Sequence, residues 1–437
     1  MHSYRECMLP ALWRHVDYDD VARFCLEAGK QSVALEACEI GLRLRPGDPL
    51  LLVRRAQAYD ALGDFDRAIA DCEAALALGA PPAAAALAAG LQTLALQSCG
   101  RPADALRTAR RAIAAAPHAL EAHRALGNVL AWNGDLAAAW PELECHWLDE
   151  RRYVRERFGR AEWNGEDLIG RRVLVAHHQG LGDLIQMARY LPFLRERAAH
   201  VTLECPPALM PLLRAFPGVD TLVPKGFVAA PDVDVVTRVM ALPRLLNERG
   251  TMRPNAAPYL RVPPAYSKRW HGLADSGDAL RVGLAWAGNP FHKRDRVRSI
   301  PLAVCAPWSE IFGIAWSSLQ IGPAANDAAT AAFQLARFDT RIRDMADTAA
   351  LIAQLDLVIA VDTAVAHLAG ALGKPVWLLL PQRPDWRWPW AGAATHWYPT
   401  MRIFRARDVS WTAVVADVAA SLRQWTQVPK RICADRV

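Results

Sequence analysis

The chain has 437 residues, of which 52% are hydrophobic and 22% charged, with a formal net charge of +6. That length exceeds one ordinary core and suits two or three domains, and the balance is that of a globular chain rather than a disordered one. The basic clusters at 151–160 and 293–298 read as solvated surface or, for the second, as part of a site; neither has the length or aromatic interleaving of a nucleic-acid track.

The first 20 residues mix acidic and basic side chains and lack the apolar core of a secretory signal. No uncharged apolar run reaches the 18 or so residues that a membrane span requires. Nine cysteines, an odd number without a Cys-x-x-Cys pair, disfavour a disulfide scaffold or zinc finger and point to a reducing compartment. A cytoplasmic protein without a transmembrane segment is the expectation.

Residues 1–150 are expected to form a helical repeat domain. Glycines recur at Gly29, Gly63, Gly100 and Gly134, at separations of 34, 37 and 34 residues. Five positions after each stands Ala34, Ala68, Ala105 or Ala139, and prolines at Pro46, Pro81 and Pro117 close units. The glycine lets the chain reverse between two helices, the alanine lets them cross closely, and the proline stops the second. Each pair leaves an apolar face that only its neighbour can cover, so the units stack. The pattern resembles the tetratricopeptide repeat (TPR) over about residues 15–148. Such an array implies a peptide or protein partner on its concave face, although dimerisation or bracing of the next domain fits equally well.

Beyond residue 153 short β-branched runs alternate with helical segments. Strands are expected at 173–176, 201–204, 221–223 and 233–236, with a helix over 184–197 after the first. A proline-rich connector at 254–264 follows, and the alternation restarts at 282–286, 314–319, 357–361 and 376–380 before an amphipathic helix at 409–425. This predicts two Rossmann-like lobes, 151–265 and 266–437, with the ligand at the carboxyl ends of their strands.

Three constellations can carry chemistry. Gly180-Leu181-Gly182-Asp183 sits where the first strand gives way to a helix, and it lacks the third glycine of a dinucleotide fingerprint. Gly180 and Gly182 permit close backbone approach to a ligand, and Asp183 is either a helix cap or a general base. Asn289, His292 and Lys293 lie in the loop after the 282–286 strand. There a lysine can neutralise a diphosphate leaving group or simply be an exposed loop residue. Asp362, Thr363, Ala364 and His367 open the helix after the 357–361 strand, where free amides bind phosphate. His367, one turn deeper than Thr363, is a donor-site residue or a buried structural histidine.

Together, the His177-His178-Gln179-Gly180-Leu181-Gly182-Asp183 stretch, the Trp-Ala-Gly-Asn-Pro loop with Lys293, Ser318-Leu319-Gln320 and the Asp-Thr-Ala-Val-Ala-His helix resemble bacterial TPR-glycosyltransferase proteins. The catalytic part is similar to ADP-heptose:lipopolysaccharide heptosyltransferases and, more distantly, to O-linked N-acetylglucosamine transferase. The resemblance implies an α-helical TPR superhelix followed by an α/β GT-B fold. It also implies a nucleotide-sugar donor and a hydroxyl acceptor on a glycan, lipid or protein. Asp183 then falls at the general base. Gly180, Gly182, Asn289, His292, Lys293, Gln320, Asp362, Thr363, Ala364 and His367 fall at the donor side.

No cofactor and no metal are expected, because Asp232-Val233-Asp234 reads as structural despite its Asp-x-Asp spacing. Trp386, Trp388 and Trp390 either offer a stacking face to a base or sugar or pack their segment against the second lobe. A catalytically inactive transferase-like TPR scaffold is the alternative function.

Overall fold

The computed structural model describes residues 16–145, 154, 156–177, 179–227, 232–246, 257–272, 277–292, 294–408 and 410–427. Lys293, His178 and Val409 therefore lie outside the described residues. So do Arg151, Arg152 and Arg155 of the 151–160 cluster, together with Pro254 in the connector. Among the described residues no helix is long and apolar enough to cross a membrane. The chain divides into two compact units. One takes the chain to Trp147 and also Asp385–Pro389; the other takes Leu148–Pro384 and Trp390–Val437.

The first unit is a run of antiparallel helix pairs: α1 (Tyr18–Glu27) with α2 (Gln31–Leu44), α3 (Pro49–Leu62) with α4 (Phe65–Ala77), α5 (Pro82–Ser98) with α6 (Pro102–Ala115), and α7 (Leu120–Trp132) with α8 (Leu136–Cys145). The repeat glycines all take positive φ, between 69° and 90°, which reverses the chain within each pair. Ala34, Ala68, Ala105 and Ala139 have no solvent exposure, as a close helix crossing demands. Asp17, Asp48 and Asp64 cap α1, α3 and α4 with their carboxylates. Between α3 and α4 the buried Asp71 takes two 2.7 Å hydrogen bonds from Arg55, a bidentate pair.

The segment Asp385–Pro389 belongs to this helical unit, which corrects the expectation that its tryptophans pack against the second lobe. Trp386 meets Trp140 of α8 edge-on, with centroids 5.1 Å apart. The Trp132 indole donates to the Asp385 carbonyl at 3.2 Å. Indoles bury more apolar area than other side chains, and here that area is satisfied by helices more than 240 positions earlier in the chain.

The second unit holds two all-parallel sheets. The first lobe orders β1 (Ala161–Glu162), β2 (Arg172–Ala176), β3 (His200–Cys205), β4 (Thr221–Pro224) and β5 (Val235–Arg238) as β1-β5-β2-β3-β4. The second contains β6 (Leu280–Ala285), β7 (Ile314–Ser318), β8 (Leu335–Ala336), β9 (Leu357–Val361), β10 (Val376–Leu380) and β11 (Met401–Arg405), ordered β11-β10-β9-β6-β7-β8. The central strands are buried along their whole length, so their β-branched runs do not alternate with polar residues.

Two expectations shift. The helix expected at 184–197 is broken into α9 (Leu181–Met187), a 3-10 turn at Ala188–Tyr190 and a short helix at Leu191–Arg195, where Pro192 supplies no backbone donor. The strand expected at 233–236 runs instead to Arg238. Asp232 and Asp234 precede it, and both engage Arg172 at the amino end of β2, away from the strands' carboxyl ends. After β9 comes α10 (Ala364–Ala371), and the last described helix is α11 (Thr412–Thr426), which covers β11 through Val414, Val415, Val418 and Phe404.

Candidate functional site

The carboxyl end of β2 leads into α9, and the carboxyl end of β9 leads into α10. These two helices, one from each lobe, pack on each other. The contact is closest at Gly182: a Cβ placed there would lie 2.9 Å from His367 Cδ2 and 3.5 Å from Ala364 Cα. Gly182 is inside α9 and is not one of the left-handed glycines, so the packing rather than the backbone angle calls for a residue without a side chain. Two motifs separated by about 180 positions thus meet at one place.

Asp183 occupies the third helical position of α9, and its Oδ2 accepts from the Gly180 amide at 2.8 Å. That is half of a capping box, since glycine offers no side chain for the return bond. The carboxylate is half-buried. Its capping role is therefore real.

At the start of α10, Thr363 is the N-cap residue but makes no side-chain capping bond. Its Oγ1 is buried without a hydrogen-bond partner. The Asp362 carbonyl accepts from Arg298 Nη1 at 3.1 Å, and its carboxylate stands 3.9 Å from His367 Nε2. The Ala366 and His367 amides turn back to the Thr363 carbonyl, while Ala364 and Val365, the first two positions, have no acceptor within the helix.

His367 is 4% exposed and its Nδ1 lies 2.9 Å from the Tyr398 hydroxyl. Burial, with Arg189 and Arg298 adding positive charge, pushes the imidazole down to about 3, so it is neutral near pH 7. The ring therefore acts through hydrogen bonding and packing.

Around it a buried cage ties the lobes and their connector. Arg189 donates to the carbonyls of Gln186 and Trp397 at 2.9 Å and to the Tyr259 hydroxyl at 3.2 Å. Its guanidinium also lies over the rings of Tyr259 and Tyr398, at 4.8 and 4.9 Å. Tyr259 in turn donates to the Ile185 carbonyl at 2.9 Å. None of Arg189, Tyr259 and Tyr398 stood out in the sequence, where nothing links a lone arginine to aromatics 70 and 209 positions away.

The loop after β6 carries the remaining donor-side residues. Asn289 Oδ1 accepts from the Phe291 amide at 3.1 Å, and Asn289 O from the His292 amide at 2.9 Å, so Asn289 shapes the turn. Burial, with Arg298 and Arg294 close by, holds His292 below the usual imidazole range. A side chain at Gly288 would strike Asp295 and Arg298, which explains that glycine. Gln320 Oε1 accepts from the amides of Trp286 and Ala287 at 3.1 and 3.0 Å, and its Nε2 donates to the Ala287 carbonyl at 3.1 Å. Its amide is thus spent holding the loop. Arg298 and Arg294 are two of the described cations here, the latter anchored on the carbonyls of Arg383 and Pro384 at 2.6 and 3.3 Å. Among the described residues no three His, Cys, Asp or Glu side chains gather as a metal-binding group.

Residues 341–396, which contain β9, the start of α10 and β10, match the family model for glycosyltransferase family 9 (heptosyltransferase). The chain is 26% identical over 466 positions to "Protein FlbA" of Caulobacter vibrioides, covering 96% of this chain and 72% of that protein. Among solved structures it is similar to a family 9 glycosyl transferase from Veillonella parvula, at 13% identity and a TM-score of 0.45. That likeness covers 60% of this chain and 100% of the other. An O-GlcNAc transferase from Thermobaculum terrenum is similar over 96% of this chain and 93% of its own, at 13% identity and a TM-score of 0.33.

Proposed function

We propose that this protein is a glycosyltransferase that moves a sugar from a nucleotide-sugar donor to a hydroxyl on a glycan, lipid or protein acceptor, with inversion and without a divalent metal. The observation that carries the reading is the meeting of Gly182 with Ala364 and His367. It brings α9, the helix that carries Asp183, against α10 of the second lobe, whose start lies within the segment that matches a glycosyltransferase family.

In this reading the donor diphosphate settles on the amides at the start of α10 and on the Thr363 hydroxyl. Arg298, together with Lys293 and His292 on their loop, faces the negative charge that develops as the diphosphate leaves. Asp183 takes the proton of the acceptor hydroxyl as that oxygen attacks the anomeric carbon from the side opposite the diphosphate, through an oxocarbenium-like state. Gly180 lets the donor approach the backbone, and Gln320 and Asn289 keep the donor loop in shape. The concave face of the helical unit takes a peptide or protein partner.

The test is Asp183→Asn. Turnover should fall by roughly 10²–10⁴-fold, the usual contribution of a positioned base, while nucleotide-sugar affinity stays within about twofold. Turnover equal to that of the unmodified enzyme would remove Asp183 from the mechanism.

A further inference from the structure

The last residue of β5 is an arginine whose surroundings do not account for it. Arg238 is 3% exposed at its side chain, and its Nε donates to Glu162 Oε1 of β1 at 3.0 Å. Both terminal nitrogens, Nη1 and Nη2, are buried without a hydrogen-bond partner. A guanidinium carries five N–H donors and no acceptor, so one bond to one carboxylate leaves four donors desolvated for no return. Native structures keep few such groups, and one that is kept calls for an explanation, of which an ion or ligand that binds there is one. Stability gives no reason to retain it, because a buried, half-satisfied ion pair is commonly no better than apolar side chains of the same volume.

Its place in the fold says what it is reserved for. β5 lies beside β2, with Arg238 in register with Ala176. Arg238 therefore stands one strand spacing, about 4.8 Å, from the residue that precedes the His177–Asp183 turn. In an open parallel sheet, that carboxyl edge is where ligands lodge.

Resting on the transferase reading, we infer that Arg238 anchors an oxyanion, a carboxylate or phosphate group, carried by the substrate that the first lobe takes beside Asp183. A planar fork with two free NH₂ ends matches either group bidentately. The substrate class is thus narrowed from any hydroxyl compound to an anionic one.

The experiment compares the full-length protein with Glu162→Gln/Arg238→Met, which removes both charges at once so that neither is stranded, and with Arg238→Lys, which keeps the charge but not the fork. Inorganic phosphate and acetate are each titrated by calorimetry at constant ionic strength. The expected result is saturable binding of one of them, phosphate pointing to a phosphate group and acetate to a carboxylate. That binding should weaken at least tenfold in both variants, with the unfolding midpoint of the double variant no lower than that of the parent. Equal anion affinity in parent and double variant, or no saturable binding of either anion to the parent, would overturn the inference. A clear fall in the midpoint of the double variant would make the pair a structural one and also overturn it. Nucleoside-diphosphate titration separates this from the donor reading. If the donor reading fails, no nucleotide binds while the anion result stands; if the Arg238 inference fails, nucleotides still bind.

Discussion

Replacing Gly182 with alanine tests the lobe contact through the sign of its effect. Inside an unobstructed helix, glycine to alanine is stabilising by about 1 kcal/mol, through the lost backbone entropy of the unfolded chain and better helix propensity. Here the added methyl would sit 2.9 Å from His367 Cδ2. The imidazole cannot easily retreat, because its Nδ1 is held 2.9 Å from the buried Tyr398 hydroxyl. Overpacking of this kind costs about 1–3 kcal/mol, so the net change should lie between none and a loss of about 2 kcal/mol. Scanning calorimetry of the full chain should show the transition of the α/β unit moving down while that of the helical unit stays. In a His367→Ala background the clash is gone, and the same Gly182→Ala change should become stabilising; the reversal is a coupling between neighbours that share one space. A stabilising effect of Gly182→Ala in the unmodified chain would refute the argument that the lobes meet at this point.

Two further outcomes follow from the geometry. His367, pushed down to about 3, and His396, to about 4, are neutral in the folded protein where the unfolded chain would bind protons. The unfolded state then holds more protons between those values and about pH 6.5, so stability is fully present above pH 6.5. It falls by about 1.4 kcal/mol per unit and per group as the pH drops through the window. Unfolding midpoints of the parent and His367→Gln between pH 4 and 7 should diverge; parallel curves would contradict the burial argument. Trp386→Ala removes a large ring seated on Trp140 and should cost the helical unit about 3 kcal/mol, seen as a lower first transition; an unmoved transition would show that the segment is not held there.

How far the sequence could be read depends on the range of the interaction involved. The repeat was legible because its requirements are local. A left-handed glycine and an alanine five positions later must keep phase within each pair, and they do. The long buried strands were legible from continuous β-branched runs, but β1 and β8, with two residues each, are too short to carry any pattern. β11, reading Met-Arg-Ile-Phe-Arg at a sheet edge, mixes exposed and buried positions and was missed for that reason.

At the candidate site, the glycines and the helix start could be picked out because turns and caps leave residue-type signatures. The role of Gln320 could not, since whether its amide faces a ligand or the Trp286–Ala287 backbone is decided by a contact 33–34 positions away. The same limit hid the destination of Trp386 and the half-paired state of Arg238. A Val-Val-Thr-Arg strand end shows only that a cation closes the strand, not that its counter-charge is incomplete.

In the proposed reaction the start of α10 receives the diphosphate, and Thr363→Val probes that with the least disturbance. The hydroxyl has no partner in the ligand-free protein, so its loss should leave the unfolding midpoint unchanged or slightly raised. Affinity for the nucleotide sugar that stabilises the parent should fall about 5–10-fold, the equivalent of one hydrogen bond of about 1–1.4 kcal/mol. Calorimetric titration with ADP-, UDP- and GDP-sugars gives the number directly. Undiminished affinity in Thr363→Val, or no binding of any nucleotide sugar to the parent, would contradict the account.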